Sequence, residues 1–351
     1  MRLGDFTYFL PPERIAQIPA QPRDASRLLA VRRGGAGPGE AAPWQDAAFR
    51  DLARLLSPGD LLVTNDTRVF PARLWGRKAS GGRAEVLLLT REGADRWEAL
   101  VRSAKRSRPG TRIRVGEDSG LTVEVLEIRG EGVYLVRLET PGDPLAALEA
   151  LGEMPLPPYI RRAAPDPRDR QWYQTVFARP DAAGSAAAPT AGLHFTPRVL
   201  TDLAARGIER ASVTLHVGLG TFLPVRAERL EEHRMHREWY EVPEATARAV
   251  NGALAEGRRV VAVGTTVTRV LEHCGASGEL KAGSGWTELF LKPGHEFRVV
   301  GGLVTNFHLP ETTLLMLVCA FGGTEPVLAA YRHAVEAGYR FYSYGDAMVV
   351  L

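Results

Sequence analysis

A change of rhythm at residues 67 and 155 limits what this chain can fold into. Between those points the apolar residues come in short, β-branched runs at 84–89, 97–101, 112–115, 121–128 and 133–138. Turn signals separate them: Ser80-Gly81-Gly82, Glu92-Gly93, Pro109-Gly110, Ser119-Gly120 and Gly130-Glu131-Gly132. Such spacing predicts a small all-β barrel or sandwich. After Leu156-Pro157-Pro158-Tyr159 the pattern becomes helix then strand. Thr196-Pro197 makes an N-cap and first-turn pair closed by Gly207, and 208–217 reads as a strand. Residues 243–256 form a helix ending at Gly257, and 259–263 a buried, nearly all-apolar strand. Helices from about Thr266, Pro310 and Glu325 follow, then two short strands around Phe341 and Met348. Before residue 67 lie Arg23, Asp24 and Arg27, a Gly/Pro/Ala loop at 34–43, a helix at 49–56 and an apolar strand at 61–64. Alternation of this kind predicts an α/β fold, a mainly parallel sheet with flanking helices and right-handed crossovers. The β-rich piece then reads as an insertion. The expected division is a discontinuous α/β domain, 1–66 and 156–351, carrying a β-barrel domain at 67–155.

Charge singles out the same insert. The net charge is only +3, yet thirteen Lys/Arg face four Asp/Glu between Arg68 and Val115, leaving the remainder of the chain acidic. Such segregation suggests a region that faces a polyanion, with a solvated arginine-rich surface as the plain alternative. Lys105, Arg106 and Arg108 form the densest cluster of candidate phosphate contacts. Two cysteines, Cys274 and Cys319, without C-x-x-C spacing exclude a disulfide framework and a cysteine-rich zinc site. The first ten residues carry no secretory pattern, and the longest apolar run, 314–321, is far short of the roughly 20 residues a membrane span needs. A soluble, cytoplasmic monomer is expected.

Ligands of open α/β sheets sit beyond the C-terminal ends of strands. Four predicted strand ends here are polar or glycine-rich: Asn65-Asp66-Thr67-Arg68, the stretch from His216 through Gly218 and Gly220 to Thr221, Gly264-Thr265-Thr266, and Thr305-Asn306-Phe307-His308. Each alone reads equally well as a turn; all four at one edge would make a pocket. Gly218-x-Gly220 lacks the third glycine and the following helix of a dinucleotide fingerprint, and its glycines instead suit close backbone approach. His233-x-x-His236 has the spacing of a metal pair, but Arg234 and Arg237 beside it repel a cation, so no metal is expected. Glu238 is a candidate base or an orienter of His236, with a polar surface turn as the alternative. His194 stands just before a helix N-cap, where a neutral imidazole is favoured for hydrogen bonding, although a structural histidine explains it too. Ser185 and Cys319 have no base at a recognisable spacing.

Taken together, the motifs resemble one bacterial family nearly end to end. They are Arg23-Asp24-Ala25-Ser26-Arg27-Leu28-Leu29, residues 65–74, 154–162, 188–196, 216–225 and 233–238, Gly264-Thr265-Thr266, Gly285-Trp286-Thr287, 303–318 and 339–348. The chain is similar to the S-adenosylmethionine:tRNA ribosyltransferase-isomerases of queuosine biosynthesis. Small departures fall at Ala186, Val267-Thr268, His295, Thr312 and around 103–108, and none removes an expected catalytic residue.

The resemblance implies transfer and isomerisation of the ribosyl part of S-adenosylmethionine onto 7-aminomethyl-7-deazaguanine at the tRNA wobble position. The products would be epoxyqueuosine-tRNA, adenine and methionine, with S-adenosylmethionine as co-substrate and no further cofactor. It implies His216 or Glu238 as the base beside the sulfonium, and Asp66 or His308 as the acid for departing adenine. Asn65, Thr67, His194, Gly218, Gly220, Thr221, Gly264, Thr265, Thr266 and Asn306 would hold the substrate, with Arg269 on the methionine carboxylate. Arg68, Arg73, Lys105, Arg106 and Arg108 would grip the tRNA. A tRNA methyltransferase releasing S-adenosylhomocysteine is the competing enzyme class, although its glycine-rich loop is not evident. A non-catalytic RNA-binding module would leave the polar strand ends without purpose.

Overall fold

The computed structural model describes residues 1–35, 42–116, 119–130, 132–218, 230 and 235–351. The described strands are β1 (Arg27–Val31), β2 (Trp44–Ala48), β3 (Leu61–Asn65), β4 (Arg68–Val69), β5 (Arg73–Lys78), β6 (Arg83–Arg91), β7 (Arg96–Ser103), β8 (Arg112–Val115) and β9 (Thr122–Gly130). They continue with β10 (Val133–Glu139), β11 (Ala183–Ser185), β12 (Glu209–Leu215), β13 (Glu238–Val242), β14 (Val260–Val263), β15 (Gly283–Thr287), β16 (Gly302–Asn306) and β17 (Ala347–Val350).

Nine of these form one sheet in the order β15-β13-β12-β3-β14-β16-β17-β1-β2. Its centre is what alternation predicts: β12, β3, β14 and β16 are neighbours and mutually parallel. Side chains alternate between its two faces. Val63, Ala262 and Leu303 enter one core with Val267, Leu315 and Tyr331, while Leu62, Val261 and Val304 enter another with Phe195 and Val199. Around this centre the pairing is antiparallel at β16–β17, β1–β2, β12–β13 and β13–β15, with β17–β1 parallel. The sheet is therefore mixed, which corrects the mainly parallel sheet expected from the sequence. The outer strands β2 and β15 (Trp-Gln-Asp-Ala-Ala and Gly-Ser-Gly-Trp-Thr) are half exposed and carry no apolar run that periodicity could register. Only one strand, β17, forms near 341–348; Phe341 instead makes an isolated bridge to Ile15.

The insert closes into a six-stranded antiparallel barrel, β10-β7-β6-β5-β8-β9. Leu74, Val86, Trp97, Val123 and Tyr134 fill it. Strand β5, Arg-Leu-Trp-Gly-Arg-Lys, is the barrel strand that the apolar runs do not reveal. Gly76 at its middle is required by packing, since a Cβ there would lie 2.5 Å from the Arg114 carbonyl oxygen on β8. No single helix among the described residues is long and apolar enough to cross a membrane.

Candidate active site

Because β12, β3, β14 and β16 run in one direction, their polar C-terminal ends share one edge of the sheet. A cavity of about 450 Å³ opens there. Its wall takes Gly264, Thr265, Thr266 and Arg269 from the exit of β14, and residues 305–314 from the exit of β16. Ala188 to Ala191, His236, Glu238, Tyr159, Tyr342 and Ser343 complete most of the remainder.

Local geometry explains how these groups arrive. Gly264 adopts φ +95°, open to glycine, and lets the chain turn from β14 directly into the helix Thr265–Cys274. After β16 the helix expected to open at Pro310 begins at Thr313 instead. Thr312 Oγ1 accepts the Leu315 N–H at 3.3 Å as its N-cap. Glu311, at φ +62°, cannot belong to the helix and directs the turn before it. Tyr342, also on the cavity wall, is held at φ +74°.

Arg269 and Glu238 form an ion pair, each side chain about 5% exposed. Arg269 Nε also donates to the Leu289 carbonyl at 2.9 Å, while its Nη2 is buried without a hydrogen-bond partner. Glu238 accepts weakly from the Gly218 N–H at 3.4 Å. A guanidinium neutralised on one side and unsatisfied on the other is suited to a second acceptor, such as a carboxylate. His308 contacts Thr305 Oγ1 through Nε2 at 2.9 Å, and its backbone is clamped by the hydroxyls of Tyr8 and Tyr331. Burial lowers its pKa to about 3, so the ring is neutral near pH 7.

Asn306 lines the cavity and His194 stands behind it. His194 Nε2 lies 3.0 Å from Asn306 Nδ2, and its Nδ1 lies 2.8 Å from Ser26 Oγ. The ring stacks on Phe49. Burial, and secondarily the charges of Arg340 and Arg23, lower its pKa to about 3.

At the neighbouring strand end, the residues turn inward and are not part of the cavity wall. Asp66 accepts from Thr214 Oγ1 at 2.7 Å and Ser212 Oγ at 2.9 Å, with Arg179 at 3.8 Å. Asn65 spends its amide on Leu215 and on the Thr67 N–H. Thr67 Oγ1 meets His216 Nδ1 at 2.9 Å, and that imidazole stacks on Trp239 and packs against Gly184. Burial lowers the His216 pKa to about 4, against the pull of Asp66.

Of the expected substrate and catalytic residues, the cavity thus gathers Glu238, His308, Gly264, Thr265, Thr266, Arg269 and Asn306. Gly218 reaches it through Glu238; Gly220, Thr221 and His233 lie outside the described residues. Thr190, Tyr159 and Tyr342, absent from the expectations, also line it. Thr190 and Tyr159 sit inside motifs quoted above, but only the fold shows that their side chains converge. On the insert, Lys105, Arg106 and Arg108 are exposed. Arg68 lies 3.8 Å from Glu149, and Arg73 is half-buried between Glu85 and the Leu156 carbonyl.

A mixed α/β sheet with a largely apolar cavity beyond its parallel strand ends, into which a few polar groups converge, has the architecture of an enzyme. The family model described as "Queuosine biosynthesis protein" matches residues 3–350. A protein of Anaeromyxobacter sp. (strain Fw109-5), named S-adenosylmethionine:tRNA ribosyltransferase-isomerase, is 56% identical over 100% of this chain and 99% of its own length. A protein of the same name from Heliobacterium modesticaldum is 52% identical, with both chains fully covered. A crystal structure of S-adenosylmethionine tRNA ribosyltransferase from Thermotoga maritima is 36% identical, with TM-score 0.55 over 99% of this chain and 100% of that one. The chain belongs to the queuosine biosynthesis protein family.

Proposed function

We propose that this enzyme transfers and isomerises the ribosyl moiety of S-adenosylmethionine onto 7-aminomethyl-7-deazaguanine at the tRNA wobble position, releasing adenine and methionine. The observation that carries the reading is the Arg269–Glu238 pair on the cavity wall, with one guanidinium nitrogen unsatisfied, in a chain matched end to end by its relatives. Arg269 receives the methionine carboxylate. That places the sulfonium near Glu238, the one of the two expected bases that lines the cavity, for proton removal from the adjacent carbon. His308, neutral, hydrogen-bonds the departing adenine. Thr265, Thr266 and Asn306 hold sugar and base. The aminomethyl nitrogen then attacks the opened sugar, and ring closure expels methionine. Asp66, Asn65, Thr67 and His216 support the strand end beside the cavity. S-adenosylmethionine enters as co-substrate, and no step requires a group other than these residues.

The barrel, residues 67–155, grips the anticodon arm through Lys105, Arg106 and Arg108, with Arg68 and Arg73 at its root. These contacts make tRNA affinity fall as salt rises, and each removed phosphate contact lowers the salt slope by about 1. Affinity that is flat between low and high salt would remove the barrel from tRNA binding.

The deciding assay incubates the protein with S-adenosylmethionine and tRNA bearing the aminomethyl base. Free adenine and methionine are expected. S-adenosylhomocysteine with a methylated tRNA would establish a methyltransferase instead.

A further inference from the structure

Asn306 makes more hydrogen bonds than a cavity residue needs for its own support, and their directions are forced. Its Nδ2 lies 3.2 Å from the Tyr342 carbonyl oxygen, and a carbonyl can only accept. The amide nitrogen must therefore stand on that side, with Oδ1 facing the other way. The same Nδ2 donates to His194 Nε2, so Nε2 carries no proton and Nδ1 does. Nδ1–H then donates to Ser26 Oγ. On the other side, Asn306 Oδ1 accepts from the Thr190 hydroxyl at 2.9 Å. Thr190 has spent its only proton there, and its lone pairs remain. Thr190 and His194 sit on one 3-10 turn, Thr190–His194, with Thr190 on the cavity wall and His194 in the core.

We propose that Ser26, His194 and Asn306 form a positioning relay that holds Thr190 as an obligate hydrogen-bond acceptor, selecting a donor on the nucleoside half of S-adenosylmethionine. This rests on the function proposed above. The donor is an N–H of the adenine amine or a ribose hydroxyl; both present the same chemistry to Thr190. The left-handed backbone of Tyr342 acquires a role in this scheme, because it helps aim the carbonyl that sets the direction of the whole chain.

The test uses the full-length protein and tRNA bearing the aminomethyl base, following adenine release. Thr190→Val removes the acceptor at nearly constant shape, whereas Thr190→Ser keeps it. The valine variant is expected to lose about 10- to 100-fold in kcat/KM for S-adenosylmethionine, chiefly through KM, with serine near wild type. Wild type should lose a similar factor with one analogue of S-adenosylmethionine, either N6,N6-dimethylated or lacking a ribose hydroxyl. Thr190→Val should lose nothing further with that analogue, and its identity names the donor. Losses that add for every analogue, or a valine variant equal to wild type, would overturn the proposal. Nitrogen-15 NMR of labelled histidine supplies a readout independent of rate: His194 is expected as the Nδ1–H tautomer, and an Nε2–H signal would refute the relay. If wild type releases no adenine at all, the function proposed above fails, and the NMR result still judges the relay.

Discussion

The ends of β3 and β16 lie on the same edge of one sheet, and each finishes on an asparagine, yet they serve different ends. Asn65 directs all its polar atoms to backbone, bonding Leu215 on both its N–H and its carbonyl. Asn306 bonds a threonine hydroxyl, an imidazole and one carbonyl, and lines the cavity. The register explains the difference. Val213 pairs with Asn65, so β12 runs on past β3 to Leu215 and its orphan backbone groups recruit the Asn65 amide. Val263 pairs with Val304, so β16 overhangs the end of β14 by Thr305 and Asn306. Of these two asparagines, the one whose strand is overhung caps its neighbour, and the one on the overhanging strand becomes part of the wall.

The sharpest way to break this comparison is at His308 on the β16 side. His308→Gln should slow adenine release by about 10²–10³-fold, the range for loss of one positioned hydrogen bond to developing charge. Single-turnover assays check it, and an undiminished rate would make the β16 end as structural as that of β3. On the β3 side, Asp66→Asn should cost about 1–3 kcal/mol of stability in urea unfolding, because Ser212 and Thr214 lose a charged acceptor. The folded protein should keep its rate of adenine release. A fall in rate with stability unchanged would move Asp66 into the chemistry.

Acid should weaken both sides together. His194, His308 and His216 have folded pKa values of about 3, 3 and 4, below the ordinary histidine value of 6.5. The unfolded chain therefore binds more protons below pH 6.5. Stability is full above that pH and falls as pH drops toward 4, by about 1.4 kcal/mol per unit for each histidine at most. Urea midpoints between pH 7 and 5 measure the slope, and His216→Asn should make it shallower by one histidine.

Much of the architecture was legible because burial leaves a period in the sequence. Strands β3, β14 and β16 are buried at every position and read as apolar runs, and the barrel strands β6 to β10 are spaced by their turns. Strands β2, β5 and β15 were not legible, since an exposed or charged strand has no apolar run to show. The site divided in the same way. Gly264-Thr265-Thr266, Arg269 and Asn306 stand where a strand hands over to a helix, or at a strand end. Thr190 and Tyr342 lie inside the quoted motifs 188–196 and 339–348, but they come from a 3-10 turn and from a left-handed residue before β17, neither of which has a hydrophobic period that would place it at a site.

The amino-acid sequence by itself determined the α/β frame, the basic insert, the polar strand ends and the family. Each of these is a local or additive property: period, charge, or motif order. Only the tertiary structure decided which polar ends face the cavity, that the sheet is mixed, and that His194 sits behind Asn306 and not on the wall. Those outcomes depend on register between strands far apart in the chain, where an offset of two residues decides whether an asparagine caps its neighbour or lines the cavity.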